Sequence, residues 1–535
     1  MTQSRPTPQP PAGSPTTNRP VDRAAAAVVF LAALTVLLLK APGLDYFLTS
    51  RDHGYQLCIG GQVLLGKTPG LDLVTVYGPM AMYTSALGLS LSRSLLGETL
   101  LCAGGYSLCF ALLYLLVRRD WSRTAGIAAA LAGYALMARY YKWYVWLIPL
   151  AALWAVQGWL DAPDDRKRRW LIRGGLVVGL SWLYRLDMGT FAGAAFVAMI
   201  GVVEARRPDR RLVPSLATFL AAAAVFPLAW MAYLAAVGGP SAPWAFLASS
   251  FHGALVVSRG MAAPMPPLPH VVIAFASAAA VLFVATAVGA FRCLRGQGDG
   301  HSQFLLASGL IGLAVVHQAM HRRDPAHLLQ VVPPIIVAAF ATLATIRRAV
   351  GSPELPRPAR WGLGAFGLLV ACGLAYATYG MTPYARWDLV TIGSAPADRL
   401  RQLARPLAND HAHPALGVVR FLRENSTPDD PVLVFPLDTQ LLPLARRKLS
   451  GRLHGYYAGV FDGPEDAEAN LDAIRAEPPA LVVVPSPAAP RTGSAWPSDN
   501  LARRGRAAHA YLDEYVRVNY PRVVYDDGRS AVLSR

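Results

Sequence analysis

Long apolar runs separated by short polar connections fill the first 380 residues of the chain. A membrane helix needs about 20 residues to cross, and about 17 are tolerated. The runs therefore predict eleven membrane-spanning helices, at 24–40, 98–117, 124–138, 144–160, 170–184, 188–205, 212–237, 270–291, 303–320, 328–346 and 361–380.

Basic residues at alternate connections set the predicted topology. The N-terminal tail carries Arg19 and Arg23, and the basic connections are Arg118-Arg119, Arg166-Lys167-Arg168-Arg169, Arg206-Arg207 with Arg210-Arg211, Arg292 with Arg295, and Arg347-Arg348. All belong in the cytoplasm by the positive-inside rule, which requires a single crossing between the tail and residue 98. The weaker run 78–92 is therefore predicted to be an interfacial helix on the outer surface. Counts of twelve or thirteen spans stay open.

This topology divides the chain into three parts. Residues 1–23, rich in proline, serine and threonine, are predicted to be a disordered cytoplasmic tail. Residues 24–380 form the transmembrane module, whose first outer loop is 41–97. Residues 381–535 are predicted to be a soluble α/β domain outside the membrane.

The predicted α/β domain has a strand and helix pattern of its own. VLVFP (432–436) and LVVVP (481–485) are short apolar runs ending in proline, which favour buried strands. Segments 438–447 and 464–476 have helical composition, and 522–527 is a candidate last strand.

Composition and charge agree with a polytopic membrane protein. Hydrophobic residues make up 54% of the chain and charged residues 16%, whereas soluble chains carry about 25% charged residues. A net charge of +17 would fit nucleic-acid binding, but residues 1–380 hold 31 Lys/Arg against 15 Asp/Glu, and the rest hold 19 against 18. The excess lies in short loops, so no nucleic-acid partner is expected. The five cysteines show no metal-binding spacing.

The first outer loop carries three acids, Asp45, Asp52 and Asp72, in an otherwise apolar and turn-rich segment. A partly buried acid near the membrane surface has a raised pKa and can serve as a general base. The alternative is a solvated loop in which the acids cap helices.

Two further outward connections carry charge clusters. One reads Tyr184-Arg185-Leu186-Asp187, and the other is His321-Arg322-Arg323-Asp324-Pro325-Ala326-His327. Charges at membrane depth mark functional sites, and an arginine pair on the outer side favours a phosphate or pyrophosphate ligand. The alternative is a structural ion pair of Arg323 or Arg185 with an aspartate.

The run Arg139-Tyr140-Tyr141-Lys142-Trp143-Tyr144 predicts an interfacial belt or, alternatively, part of a sugar site.

The outer loop resembles that of the GT-C class of membrane glycosyltransferases. The resemblance is carried by Asp52-His53-Gly54-Tyr55, Leu64-Leu65-Gly66, Pro69, Asp72 and Gly78-Pro79, and by the two charge clusters. It is closest to bacterial relatives of the protein mannosyltransferases and of the aminoarabinose transferases of lipid A. Two departures are Gly70, where the family often has an aromatic residue, and His53.

The resemblance implies a fold and a reaction. The fold is a GT-C type polytopic α-helical membrane protein with about eleven spans and a C-terminal soluble α/β domain. Such enzymes pass a sugar from a polyprenyl-phosphate carrier to an acceptor on the outer face. Asp52 maps to the base and Asp72 to a second acid. The implied substrate-binding residues are Arg185, Asp187, His321, Arg322, Arg323, Asp324 and His327.

The expected protein is a hexosyl- or pentosyltransferase of a bacterial inner membrane, with no cofactor and no bound metal. Its acceptor is a lipid, a glycan or a protein. Two other classes remain open, a transporter or flippase of a lipid-linked sugar and a non-catalytic membrane assembly factor. Asp52 separates them, because only the enzyme needs its carboxylate for chemistry.

Overall fold

The computed structural model describes most of the chain. The described residues are 19–49, 51–74, 77–92, 94–205, 211–260, 265–385, 395–405, 416–487 and 504–535. The predicted tail therefore lies outside the described residues except at its end, where helix α1 already begins at Arg19. The predicted basic connection at Arg206, Arg207 and Arg210 also lies outside them.

Among the described residues, sixteen α-helices build the membrane module. In chain order they are α1 (Arg19–Leu39), α2 (Leu44–Thr49), α3 (Arg51–Leu64), α4 (Pro79–Ser92), α5 (Leu95–Asp120), α6 (Arg123–Ala135), α7 (Trp143–Asp161), α8 (Asp164–Tyr184), α9 (Leu186–Glu204), α10 (Leu212–Gly238), α11 (Ala242–Gly260), α12 (Pro269–Leu294), α13 (Gly300–His321), α14 (Pro325–Gln330), α15 (Val332–Val350) and α16 (Arg357–Met381).

All eleven apolar runs predicted from sequence fall on helices. Among the described residues, nine helices are long and apolar enough to cross a membrane: α1, α5, α7, α9, α10, α12, α13, α15 and α16. The other two runs coincide with α6, which has only 13 residues, and with the apolar part of α8, whose first turns carry the charged sequence DDRKRR. The polytopic helical fold is confirmed, and the run predicted to be interfacial forms α4.

Helix α8 packs closely against α10 through small residues. A Cβ atom at Gly175 would lie 2.4 Å from the carbonyl oxygen of Phe219, and one at Gly179 would lie 2.3 Å from that of Ala223. Both glycines lie on one face of α8, because residues four apart stack on one side of a helix. Such close backbone contact is typical of helix pairs within membranes. It explains how α8, whose first turns are charged, packs against α10 along its apolar part.

The C-terminal part is an α/β domain around one mixed sheet. Its elements are α17 (Pro396–Ala404), α18 (Gly417–Asn425), β1 (Pro431–Val434), α19 (Leu441–Ala445), β2 (Lys448–Leu449), α20 (Pro464–Ala476), β3 (Leu481–Pro485), α21 (Ala510–Asn519), β4 (Arg522–Asp526) and β5 (Ser530–Ser534). The strand order is β2-β1-β3-β5-β4, with β1 parallel to β2 and β3, and β5 antiparallel to β3 and β4.

The sheet docks on segment 41–97 through helix α3. The buried Gln62 side chain donates to the carbonyl of Arg447 at 2.9 Å and accepts from the N–H of Leu449 at 2.7 Å. Lys67 donates to the carbonyl of Leu449 at 2.6 Å. The amide of Gln62 thus acts like an extra strand residue at the β2 edge, and it ties the α/β domain to the membrane module.

We predict that Gln62→Leu loosens this docking. The change removes the side-chain partner of the Leu449 N–H and of the Arg447 carbonyl. Each buried group that loses its partner costs about 1–3 kcal/mol. The unfolding midpoint of the full-length protein in detergent should fall, and protease should cut between the two parts more readily. Gln297→Leu makes the same replacement at an exposed position. It should change neither the unfolding midpoint nor the rate of protease cleavage. An equal midpoint for Gln62→Leu and the wild type would contradict this account of docking.

Candidate functional site

Asp52 lies in the first turn of α3, where the membrane module meets the α/β domain. Its carboxylate forms an ion pair with the guanidinium of Arg139. Its other oxygen accepts a long hydrogen bond from the Tyr457 hydroxyl at 3.5 Å. The side chain keeps 39% of its exposure, so the carboxylate is both held in place and open to a substrate.

Arg139 comes from the short connection between α6 and α7. Its carbonyl accepts from the Tyr106 hydroxyl at 2.8 Å, and the Tyr140 hydroxyl donates to the carbonyl of Thr99 at 2.8 Å. The ring of Tyr141 stacks on His53 at 5.1 Å between centroids. These contacts bind the connection to α3 and α5 and fix the cation beside Asp52.

The prediction of an interfacial belt at residues 139–144 is wrong. Tyr140, Tyr141 and Tyr144 are each at most 1% exposed, because they line the packing between α3, α5 and α7 rather than the lipid boundary.

Lys142 and Arg185 form a second charged group, centred on Tyr77. The Lys142 ammonium donates to the Tyr77 hydroxyl at 2.5 Å and lies 3.8 Å from the ring centroid. The Arg185 guanidinium lies 5.6 Å from the same ring. Burial raises the pKa of Tyr77, while the nearby Arg185 opposes that rise. Two cations therefore flank one neutral phenol in a nearly dry site, where an anion would be strongly bound.

Asp187 holds Arg185 in a bidentate ion pair. Arg185 donates to its two carboxylate oxygens at 3.1 and 2.8 Å, and to Gln318 at 2.5 Å. Asp187 also accepts from Gln318 and lies 3.3 Å from His317. The structural ion pair considered for Arg185 is therefore present, and it leaves the guanidinium oriented beside Lys142.

The loop between α13 and α14 is organised by Asp324. This carboxylate caps α14 by accepting the backbone N–H of His327 at 2.9 Å, and it also pairs with the His327 ring at 2.8 Å and with Arg322 at 2.7 Å. Burial alone would raise the pKa of Asp324, but its bonds to His327 and the charge of Arg322 bring the pKa down to about 2. Arg323 is exposed, and among the described residues it makes no ion pair.

His327 connects this loop with Asp52. Burial lowers the pKa of His327, Asp324 raises it, and the positive charges of Arg139 and Arg322 lower it again, with a net decrease. Arg139 thus acts electrostatically on His327 while it is paired with Asp52. Burial disfavours the ammonium form of Lys142, the positive charges of Arg185 and Arg139 disfavour it further, and the negative charge of Asp187 favours it. The connection 139–142 therefore joins the three charged regions predicted from sequence.

The remaining predicted residues lie around this group. His321 is exposed, with its ring 6.3 Å from that of His317. Asp72 is exposed in the turn after α3, where it accepts the N–H of Thr68 at 2.6 Å. Among the described residues no hydrogen bond or ion pair links Asp72 to Asp52, so its role as a second acid stays a prediction.

Sequence reasoning missed Tyr77 and His317, and it named Arg139 and Lys142 only within the run 139–144, whose alternative interpretation was part of a sugar site. A signal was present for Lys142, because it is a lysine within an aromatic run at membrane depth, and such residues are functional candidates. The others are recognisable only once the helices are assembled.

Comparison with known proteins gives a result for the fold. No family model matches the chain, and no curated protein matches it. Among solved structures, apo ArnT from Cupriavidus metallidurans matches with a TM-score of 0.52 and 16% identity, over 96% of this chain and 98% of that chain. The chain has the fold of ArnT. ArnT bound to undecaprenyl phosphate matches with a TM-score of 0.50 and 17% identity, over 96% and 97% of the two chains. The GT-C fold expected from the outer loop is thereby confirmed.

The electrostatic link between Arg139 and His327 predicts opposite shifts in two variants. Arg139→Gln removes a positive charge, so the pKa of His327 should rise. Asp324→Asn removes the partner that stabilises the imidazolium, so the pKa should fall further below its ordinary value of about 6.5. A pH titration of ¹⁵N-labelled imidazoles by NMR in detergent measures both, with His327→Gln assigning the signal.

Arg357→Gln is the control, because this exposed arginine begins α16 at the opposite end of the bundle. It should leave the titration unchanged. An unchanged His327 titration in Arg139→Gln would show that the Asp52 region and the 321–327 loop are not electrostatically joined.

Proposed function

We propose that the chain is an integral membrane glycosyltransferase of the GT-C type, which moves a sugar from a polyprenyl-phosphate carrier to an acceptor hydroxyl. The observation that carries the proposal is an accessible carboxylate, Asp52, paired with Arg139 three residues before the buried Lys142, on the ArnT fold. The bound undecaprenyl phosphate in ArnT supports a carrier of that chemical class for this chain.

The cations suit the leaving group of this reaction. When the bond between the sugar and the phosphate breaks, negative charge develops on the phosphate oxygens. Lys142 is 3% exposed and the Arg185 side chain 13% exposed, so neither cation has to reorganise much to stabilise that charge. Arg323, which is exposed and makes no ion pair among the described residues, supplies a further cation for the carrier phosphate.

Asp52 is the proposed general base. It takes the proton of the acceptor hydroxyl as the acceptor oxygen bonds to the anomeric carbon, and the carrier leaves as polyprenyl phosphate. Arg139 keeps the carboxylate oriented until the acceptor arrives. Tyr457, from the α/β domain, reaches the same carboxylate, so we assign that domain a part in acceptor binding.

The proposed orientation follows from the positive-inside rule. Asp52, Arg185 and the 321–327 loop then lie on the outer side of a bacterial inner membrane, together with the α/β domain, and the N-terminus is cytoplasmic. The acceptor is a lipid, a glycan or a protein that is exposed on that side, and the donated sugar is a hexose or a pentose.

Loss of the base should abolish most transfer. A general base contributes about 10²- to 10⁴-fold, so Asp52→Asn should lower transfer of radiolabelled sugar by at least about 10²-fold. The assay uses membranes containing equal amounts of each variant and a panel of polyprenyl-phosphate sugars. Asp472→Asn, an exposed acid of α20, should retain wild-type transfer.

The outcome also separates the rival functions. Equal transfer by Asp52→Asn and the wild type would remove Asp52 from the chemistry. If the wild type transfers nothing from the whole panel but flips labelled lipid-linked sugar across vesicles, the chain is a transporter.

Loss of the buried Lys142 should slow the departure of the carrier phosphate. Removing one preorganised donor to a developing oxyanion costs about 10²- to 10³-fold in turnover, so Lys142→Gln should show that loss in kcat. Lys167→Gln changes a lysine paired with Asp164 on α8 and should be neutral. Unchanged kcat in Lys142→Gln, with normal thermal unfolding, would exclude Lys142 from stabilising the leaving group.

A further inference from the structure

Helices α3 and α5 bring together three side chains of types that bind transition metals. His53, Glu98 and Cys102 each offer one ligand atom, and these atoms all lie within 4.8 Å of one another. The three residues are 0%, 2% and 0% exposed. His53 follows Asp52 directly in the chain, but its ring faces the interior of the bundle, so this cluster is distinct from the candidate active site.

The backbone geometry presents two of the ligands on one surface. Glu98 and Cys102 are four residues apart on α5, so their side chains lie on the same face of the helix. His53 reaches that face from the first turn of α3. The cluster draws on two segments far apart in the sequence, which explains why the cysteine spacing gave no sign of it.

The neighbours of the cluster hold two of its ligands in place, as the neighbours of metal ligands do. The Nδ1 of His53 lies 3.1 Å from the Tyr46 hydroxyl, and its Nε2 lies 3.0 Å from Glu98 Oε1. When Nδ1–H donates to Tyr46, the lone pair of Nε2 points at the cluster, as in metal-bound histidines. The Ser85 hydroxyl donates to Glu98 at 3.1 Å and steadies the carboxylate.

The carboxylate of Glu98 supplies a second observation. Its Oε2 atom is buried and has no hydrogen-bond partner among the described residues. A buried carboxylate is costly unless a charge compensates it. Oε2 lies beside Gly88 of α4, whereas Oε1 faces the cluster and lies 3.8 Å from the Cys102 Sγ. Zn²⁺ bound by this carboxylate and one thiolate has no net charge, so it would compensate the buried carboxylate and leave the interior neutral.

We propose that His53, Glu98 and Cys102 form a zinc site that joins α3 to α5. Nitrogen, carboxylate oxygen and thiolate sulfur are the ligand types of zinc, which takes four ligands and so leaves one position for water or for Ser85. On binding, the Cys102 thiol loses its proton to solvent. The site holds the helix that carries Asp52, and it stands whether or not Asp52 acts as a base.

Metal analysis of the purified full-length protein tests the site. After equilibration with zinc and removal of loose metal, the wild type should hold about one zinc per chain, as a single site requires. Cys102→Ser should hold less than half of that. Cys109→Ser is the matched control, because this buried cysteine lies two turns further along α5 and donates to the carbonyl of Trp143 instead, so it should keep the wild-type content.

Cobalt substitution adds a readout on the wild type, which does not depend on how any variant folds. Wild-type protein loaded with Co²⁺ should show the thiolate-to-cobalt absorption and tetrahedral bands, and Cys102→Ser should lose the thiolate absorption while Cys109→Ser keeps it. A wild type without stoichiometric zinc or without the thiolate absorption overturns the proposal, as does Cys102→Ser with full metal content. Sugar transfer is not the readout, so failure here leaves the proposed function untouched.

Discussion

The structure depends on how it buries charge at one end of its membrane helices. An unpaired ion in a buried environment costs several kcal/mol, and Arg139, Lys142 and Arg185 each have a partner of fixed geometry. Asp187 grips Arg185 through both carboxylate oxygens, and Asp52 pairs with Arg139. Lys142 rests on Tyr77. Pairing offsets the cost of burying these charges and fixes their positions, as the proposed anionic leaving group would require of its binding site.

The connection between α6 and α7 turns these separate pairs into one site. Residues 139–142 place a cation at Asp52 and another at Tyr77, and hydrogen bonds to α5 hold the connection in position. The α/β domain also contributes to this site, because it is hydrogen-bonded to α3 through Gln62 and its Tyr457 donates to the Asp52 carboxylate. Membrane module and soluble domain thus converge on one acid.

Hydropathy predicted the helical architecture well, since every apolar run became a helix, and the strands at 432–436 and 481–485 were recognised because both are continuously apolar. Strand β2 has only two residues, and β5 has only three apolar residues between two serines, so neither gave a clear signal. Asp52 and Arg185 were found because charge is rare at membrane depth. His317 was missed, and Arg139 was not linked to Asp52, since their partners lie on other helices and only tertiary packing brings them together.

A cryo-EM structure of the full-length protein with polyprenyl phosphate tests the central claim most directly. The account predicts phosphate density within hydrogen-bond reach of Arg185 or Lys142, about 3 Å, in a cavity that also opens onto the Asp52 carboxylate. Phosphate density at the opposite end of the bundle, or in a space that Asp52 does not face, would contradict it.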